Sequence, residues 1–442
     1  MENTYNYLKT AFQELKIESK QNPAIPCIVL LLCCIPLSYA FGSIALAIFF
    51  GVALFTFKKS QFHIEKALLL PMILYLLMIV SLAWTYDFAA SLKALSKEIP
   101  LLLVPVGFMM FPVLNPSQKN TIIRFYSHGI LLFVGFYLLK AIVKFIATQN
   151  ANVFFYHELV TEDVNAIHVS VYVAIAAFYF ITKTNRTAFE KIAAAVLVLF
   201  MILLSSKNIA IVFAVLLCFY IGKRLKKINK RRLIFGFFLV VLGSVLFSGK
   251  IKARFNEEYL SNTTENKEAI TRPGINNLSI YEAWHNDVFQ ANDYFPGTAF
   301  RVYQIRIFTE MLQEDAILFT GYGLNASDFR VREKGEEHRV FSGDGTNDGY
   351  QNKNFHNEYI QVFAELGLIG FLILLSMLIF NTRNAIKTKD FIHISFSILM
   401  ISLFLTESFL SRQRGIVFFT VMYCLFNSPH PVFRQKTIDK SM

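Results

Sequence analysis

Residues 354–370 read NFHNEYIQVFAELGLIG and hold the densest group of side chains able to do chemistry. His356 opens an otherwise apolar helical pattern. Asn357, Gln361 and Glu365 follow at i, i+4 and i+8, so they stack along one helix face. With 1.5 Å of rise per residue, Glu365 lies roughly 13 Å along the axis from His356. An imidazole, with an ordinary pKa of about 6.5, suits a general base at neutral pH. A carboxylate on an apolar helix of membrane length is costly and usually functional. The structural alternative is that Glu365 and Gln361 only bond neighbouring helices.

A second group is cationic. Pro296-Gly297-Thr298 forms a turn with Thr298 as a candidate helix cap, followed by AFRVYQIRIFTEML. Ile305, Phe308 and Leu312 recur at helical spacing, which predicts an amphipathic helix from Thr298 to Gln313. Arg301 shares the Ile305 side, whereas Arg306 points about 140° away from Arg301 around the axis. Gly321-Tyr322-Gly323 then turns the chain; it opens no strand-turn-helix unit, so a nucleotide fold is rejected. Lys207 sits at an apolar corner after Ser205-Ser206, where it either meets an anion or snorkels to the interface. His168, Lys140, Lys144, Arg412 and Arg414, with Glu407 just inside, each read alone as structural. Together they make one rim of the protein cationic and suited to a lipid diphosphate. No Asp-x-Asp or His/Cys cluster marks a metal site, and no cofactor is expected.

The elements that position these groups are membrane helices. The 442 residues are 55% hydrophobic and 17% charged, against about 25% charged in soluble domains. Mean hydropathy is +0.45. Apolar runs at about 25–41, 44–57, 67–85, 99–114, 121–146, 166–182, 190–206, 208–222, 233–249, 356–381, 391–410 and 415–428 predict an all-α, polytopic bundle of about twelve membrane helices. The net charge of +12 reflects Lys and Arg gathered in alternate loops, such as Lys58/Lys59 and Lys223 to Arg232, and not a nucleic-acid partner. That asymmetry puts both termini in the cytoplasm and the cationic rim outside. The five cysteines lie in apolar runs and predict no disulfide framework. The N-terminus reads as a cytoplasmic lead-in without a signal peptide. The expected organisation is a bundle over 1–249, an outer loop domain over 250–355 and three last helices with a cytoplasmic tail over 356–442. A polar stretch of that length between membrane helices is rare unless it is functional.

The run NFHNEYIQVFAELGLIG resembles the His-Asn-x-Tyr…Glu-x-Gly-Leu-x-Gly signature of the O-antigen ligase and Wzy-type polymerase superfamily. The segment from Gly297 through Arg301 to Gly321-Tyr322-Gly323 is similar to that family's Arg-helix-Gly-x-Gly segment. About twelve helices with one large outer loop before the last few also fit it. The resemblance implies a metal-independent, inverting glycosyltransferase of the bacterial inner membrane with a periplasmic loop. Its donor would be an undecaprenyl diphosphate-linked glycan, and its acceptor a hydroxyl of another glycan, of lipid A-core or of a protein. It implies that His356 activates the acceptor and Arg301 holds the diphosphate. Lys207, Arg306, Glu365, Asn357, Tyr359 and His168 are the expected substrate-binding residues. The family often carries an arginine after the Ser-Ser corner; Lys207 offers a point charge in place of the planar fork. The competing function is a flippase or transporter for an anionic or lipid-linked glycan. It predicts charges near the membrane midplane on broken helices and leaves the long loop with its terminal histidine unexplained.

Overall fold

The computed structural model describes residues 2–161, 164–224, 275–344 and 349–429. The helix expected at 233–249, the beginning of the outer loop and the cations of the tail lie outside the described residues. Eleven of the twelve expected apolar runs fall within them, and each holds a helix. Among the described residues the fold is all-α apart from a two-residue parallel pairing of Asn276–Asn277 with Asp293–Tyr294.

Helix ends follow local chemistry. Asn115 and Gln118 form a capping box at the start of Pro116–Thr148, and Thr187 and Glu190 do so for Ala188–Leu203. Where boundaries differ from expectation, a specific cause is visible. The run at 25–41 is split into Ala24–Cys34 and Tyr39–Phe55, with Pro36 between them denying the backbone a donor. The amphipathic helix runs from Gly297 to Glu314 with Pro296 at the cap position, so Thr298 lies inside the helix and does not cap it.

Among the described residues two helices, Pro116–Thr148 and Glu358–Thr388, are long and apolar enough to cross a membrane. Only 22% of the most apolar window of the first is buried. Its outer face bares Leu132, Phe136, Leu139, Val143 and Ile146, a stripe suited to lipid and a liability in water. Shorter apolar helices, among them Lys66–Ser81 and Ala166–Thr182, pack around these two. One core, including Phe178, Phe404, Phe418 and Tyr423, unites the bundle. A second, built on Phe295, Phe300, Tyr303, Ile307 and Phe355, sits in the polar stretch and reaches Ala364 of the returning helix, Glu358–Thr388.

The returning helix is broken at Gly367, where φ is 65° and ψ is −166°. The break frees carbonyls that need donors. The Gly321-Tyr322-Gly323 turn supplies them: Tyr322 N–H donates to the Ala364 carbonyl and Gly323 N–H to that of Glu365, both at 2.9 Å. Leu368 N–H returns a bond to the Leu318 carbonyl at 2.8 Å. A Cβ at Gly367 would lie 2.2 Å from the Phe319 carbonyl, and one at Gly321 would lie 2.3 Å from the Glu365 backbone. The two glycine motifs are thus halves of one backbone joint. Beyond the break, residues 368–388 span roughly 31 Å of helix, close to the bilayer core thickness of about 30 Å.

Candidate functional site

A cavity of about 510 Å³ opens at one end of the bundle. Its wall comes from stretches far apart in sequence: Ser205 to Asn208, Tyr294 to Arg301, His356, and Thr406 with Glu407, joined by Tyr156 and Ile167. All of these were expected on the outer side. At the other end, groups from loops expected inside meet one another: Lys119 donates to the Ser428 carbonyl at 2.8 Å and Asn384 to Asn427 at 2.8 Å.

His356 is held in the left-handed region, with φ 46°, which side chains other than glycine rarely occupy. Its backbone N–H donates to Asn354 Oδ1 at 3.2 Å, and the preceding Phe355 is buried in the second core. The ring sits edge-on to Phe300, with centroids 5.7 Å apart. His356 Nδ1 lies 3.4 Å from Glu407 Oε2, at the long end of hydrogen-bond distance.

Glu407 lies in the loop between the helices Phe391–Phe404 and Gln413–Asn427, and its side chain is 7% exposed. Its other oxygen, Oε1, accepts from Arg301 Nη2 at 3.2 Å. Burial pushes the carboxyl up, but the hydrogen bond and charge of His356, with the charges of Arg301 and His168, outweigh it and hold the group below its ordinary value. Arg301 spends most of its donors on protein. Nε and Nη2 bond the Thr406 carbonyl at 3.0 and 2.9 Å, and Nη1 bonds the Gly297 carbonyl at 2.9 Å. It is therefore a fixed positive charge more than an open two-pronged clamp. Lys207 begins the helix Lys207–Arg224 at the cavity wall. Its neighbour Asn208 pins that corner, donating to the Ser402 carbonyl and to Thr406 Oγ1, both at 2.8 Å, and accepting from Ser402 Oγ at 2.6 Å.

Of the eight expected site residues, His356, Arg301 and Lys207 line the cavity; the other five do not. Arg306 is tied to the Asn286 carbonyl, Glu310 and Asp287. Asn357 caps the returning helix, accepting from Tyr359 and Ile360 N–H, and its amide reaches the Leu405 carbonyl at 3.4 Å. Tyr359 donates its hydroxyl to the Ile401 carbonyl at 3.0 Å. His168 is buried with its ring 4.5 Å from Phe409, behind Glu407. Glu365 accepts from Gln361 and faces a separate, much smaller cavity shared with Glu98 and Glu358. Of the rim cations, Arg414 donates twice to the Leu37 carbonyl and covers the Tyr39 ring. Glu407, Thr406 and Asn208 complete the site. The available signal was Glu407 itself, a lone carboxylate at the end of an apolar run. Among the described residues no group of three His, Cys, Asp or Glu is placed to hold a metal ion.

Fold and cavity define an α-helical bundle of apolar helices with a cationic, histidine-bearing cavity at one end. Residues 192–375 match the family model described as O-antigen ligase. It includes Lys207, Arg301 and His356, whereas Glu407 lies beyond it. The match supports an enzyme of ligase or polymerase type in polysaccharide assembly, from a family of membrane proteins that handle lipid-linked glycans. No curated protein matches the chain.

Proposed function

We propose that the protein is an inner-membrane glycosyltransferase that moves a glycan from an undecaprenyl diphosphate donor to an acceptor hydroxyl at the periplasmic face. The observation that carries the reading is the convergence of His356, Arg301 and Lys207 on one cavity. A sugar hydroxyl is a weak nucleophile and needs a base within hydrogen-bond reach. His356 Nδ1 is engaged by Glu407, so Nε2 takes the hydroxyl proton. The hydroxyl oxygen bonds to the anomeric carbon as the bond from that carbon to the diphosphate oxygen breaks. The electron pair leaves with the diphosphate, and a single displacement inverts the anomeric centre. Arg301 and Lys207 stabilise the negative charge that develops on the leaving group. The proton passes from the imidazolium to solvent or to the departing diphosphate.

The acceptor is a hydroxyl of lipid A-core, of a second lipid-linked repeat or of a protein. The test is glycan transfer by the purified chain in detergent with EDTA present. His356→Ala abolishes transfer while the protein still inserts; full activity in that variant removes the base from the scheme. Glycan profiles after gene deletion separate the acceptors: loss of long chains on a capped core marks a polymerase, and accumulated lipid-linked polymer marks a ligase.

A further inference from the structure

We infer that Glu407 is a positioning residue for this reaction, holding His356 in the tautomer with its hydrogen on Nδ1 so that Nε2 carries the lone pair that takes the acceptor proton. The inference rests on the reading of His356 as the base. Glu407 touches both His356 and Arg301, with Oε2 toward His356 Nδ1 at 3.4 Å and Oε1 toward Arg301 Nη2 at 3.2 Å. It also lies outside the segment that matches the family.

An ionised carboxylate can only accept hydrogen bonds. A neutral imidazole that meets one through Nδ1 must therefore carry its hydrogen there, which fixes the other nitrogen as the base. When Nε2 takes the hydroxyl proton, the ring becomes cationic beside an anion already in place, and no solvent has to reorganise around it. Arg301 makes a buried anion tolerable before that moment. The loop itself is fixed. Glu407 N–H donates to the Leu403 carbonyl at 2.9 Å, Asn208 grips Thr406, and Asn357 grips Leu405. The ionisable groups that bear on Glu407 are His356, Arg301 and His168; Arg412 and Arg414 in turn bear on His168, and Lys207 lines the same cavity.

The alternative is a purely structural carboxylate that neutralises Arg301, and the pH profile separates the two. The assay uses the purified full chain in detergent, an undecaprenyl diphosphate-linked oligosaccharide and a detergent extract of its native membranes as acceptor, read by release of lipid diphosphate. In Glu407→Gln the amide NH2 can turn to Nδ1 and favour the wrong tautomer. The expected loss in kcat is up to about 10⁴-fold, the loss seen when the carboxylate partner of a catalytic histidine becomes an amide. Donor KM changes little, and the acid limb of the activity profile moves to lower pH because the imidazolium has lost its partner. Glu407→Asp recovers part of kcat and keeps the acid limb in place. Wild-type kcat in Glu407→Gln, or lost kcat with an unmoved acid limb, overturns the inference. Should Glu407→Gln fail to purify, ¹⁵N-histidine NMR of the wild type against His356→Gln reads the tautomer directly. Hydrogen on Nδ1 sustains the proposal and hydrogen on Nε2 overturns it. An active His356→Ala removes the base reading itself, whereas a dead His356→Ala beside an unaffected Glu407→Gln removes only the role of Glu407.

Discussion

Gly367→Ala isolates the backbone joint between the helix Glu358–Thr388 and the 317–323 turn. The new methyl would sit 2.2 Å from both the carbonyl carbon and oxygen of Phe319, which are backbone atoms and cannot swing aside. At φ 65° the alanine also takes a left-handed conformation that costs about 1–2 kcal/mol. Relieving the clash means moving the 317–323 turn, which breaks the Tyr322 to Ala364 and Gly323 to Glu365 bonds, worth about 1 kcal/mol each. The expected destabilisation is about 3–4 kcal/mol. Gly135 provides the control, because nothing lies within 4 Å of a Cβ there and its backbone is helical; Gly135→Ala should be neutral or stabilising by up to about 1 kcal/mol. Trp84 Nε1 donates to the Thr320 carbonyl at 3.0 Å and so reports on the same turn. The chain has two tryptophans, and in a Trp284→Phe background the emission of Trp84 follows the turn alone. Thermal unfolding in detergent should show Gly367→Ala melting well below the parent, with Trp84 emission changed before any heating. If Gly367→Ala and Gly135→Ala melt together with identical Trp84 spectra, the joint does not bear the strain argued for it.

Two further predictions concern the wall of the cavity and the polar stretch around Glu310. Asn208→Ala removes two bonds at 2.8 Å and one at 2.6 Å between the Lys207 corner and the Glu407 loop, so the protein should lose about 2–3 kcal/mol of stability and most of its transfer activity; wild-type melting and turnover would contradict the proposed anchoring. Burial raises the Glu310 carboxyl, but His338 and Arg306 outweigh it and hold the group below its ordinary value of 4.5. A depressed carboxyl stabilises the fold above that value, and the contribution fades as pH falls through the folded-state value. Melting temperature should therefore drop more steeply below about pH 4.5 in the parent than in Glu310→Gln, and parallel curves would exclude the linkage.

Much of the architecture was legible because apolar length is a one-dimensional property. Runs such as 166–182 and 121–146 announce helices without any knowledge of their partners. What escaped was where such runs bend. Pro36 splits one helix by removing a donor, a local cause that could have been read. The run at 391–410 stops at Phe404 for a reason that is not local. The carbonyl of Thr406 is taken by Arg301, 105 residues away, and Leu410 N–H is taken by Glu358. Likewise, Gly321-Tyr322-Gly323 looks like a weak phosphate loop until its N–H groups are found on the carbonyls that Gly367 releases.

The same distinction explains which site residues the sequence exposed. His356 and Arg301 stood out because each breaks a local pattern: an imidazole before an apolar helix, a guanidinium on the apolar side of an amphipathic one. Arg306, Asn357 and Tyr359 share those neighbourhoods and yet bond elsewhere, since helical phase and caps decide their direction. Glu407 is the opposite case. Its isolated charge in apolar surroundings carries a desolvation cost that stays unexplained until its partners are known. Those partners, an arginine 106 residues before it and a histidine 51 residues before it, share no element with it. A buried anion held by an arginine and a histidine of the candidate site is costly to place anywhere else in the fold. That economy argues that the loop at 405–408 is part of the candidate site, and not merely the end of an apolar helix.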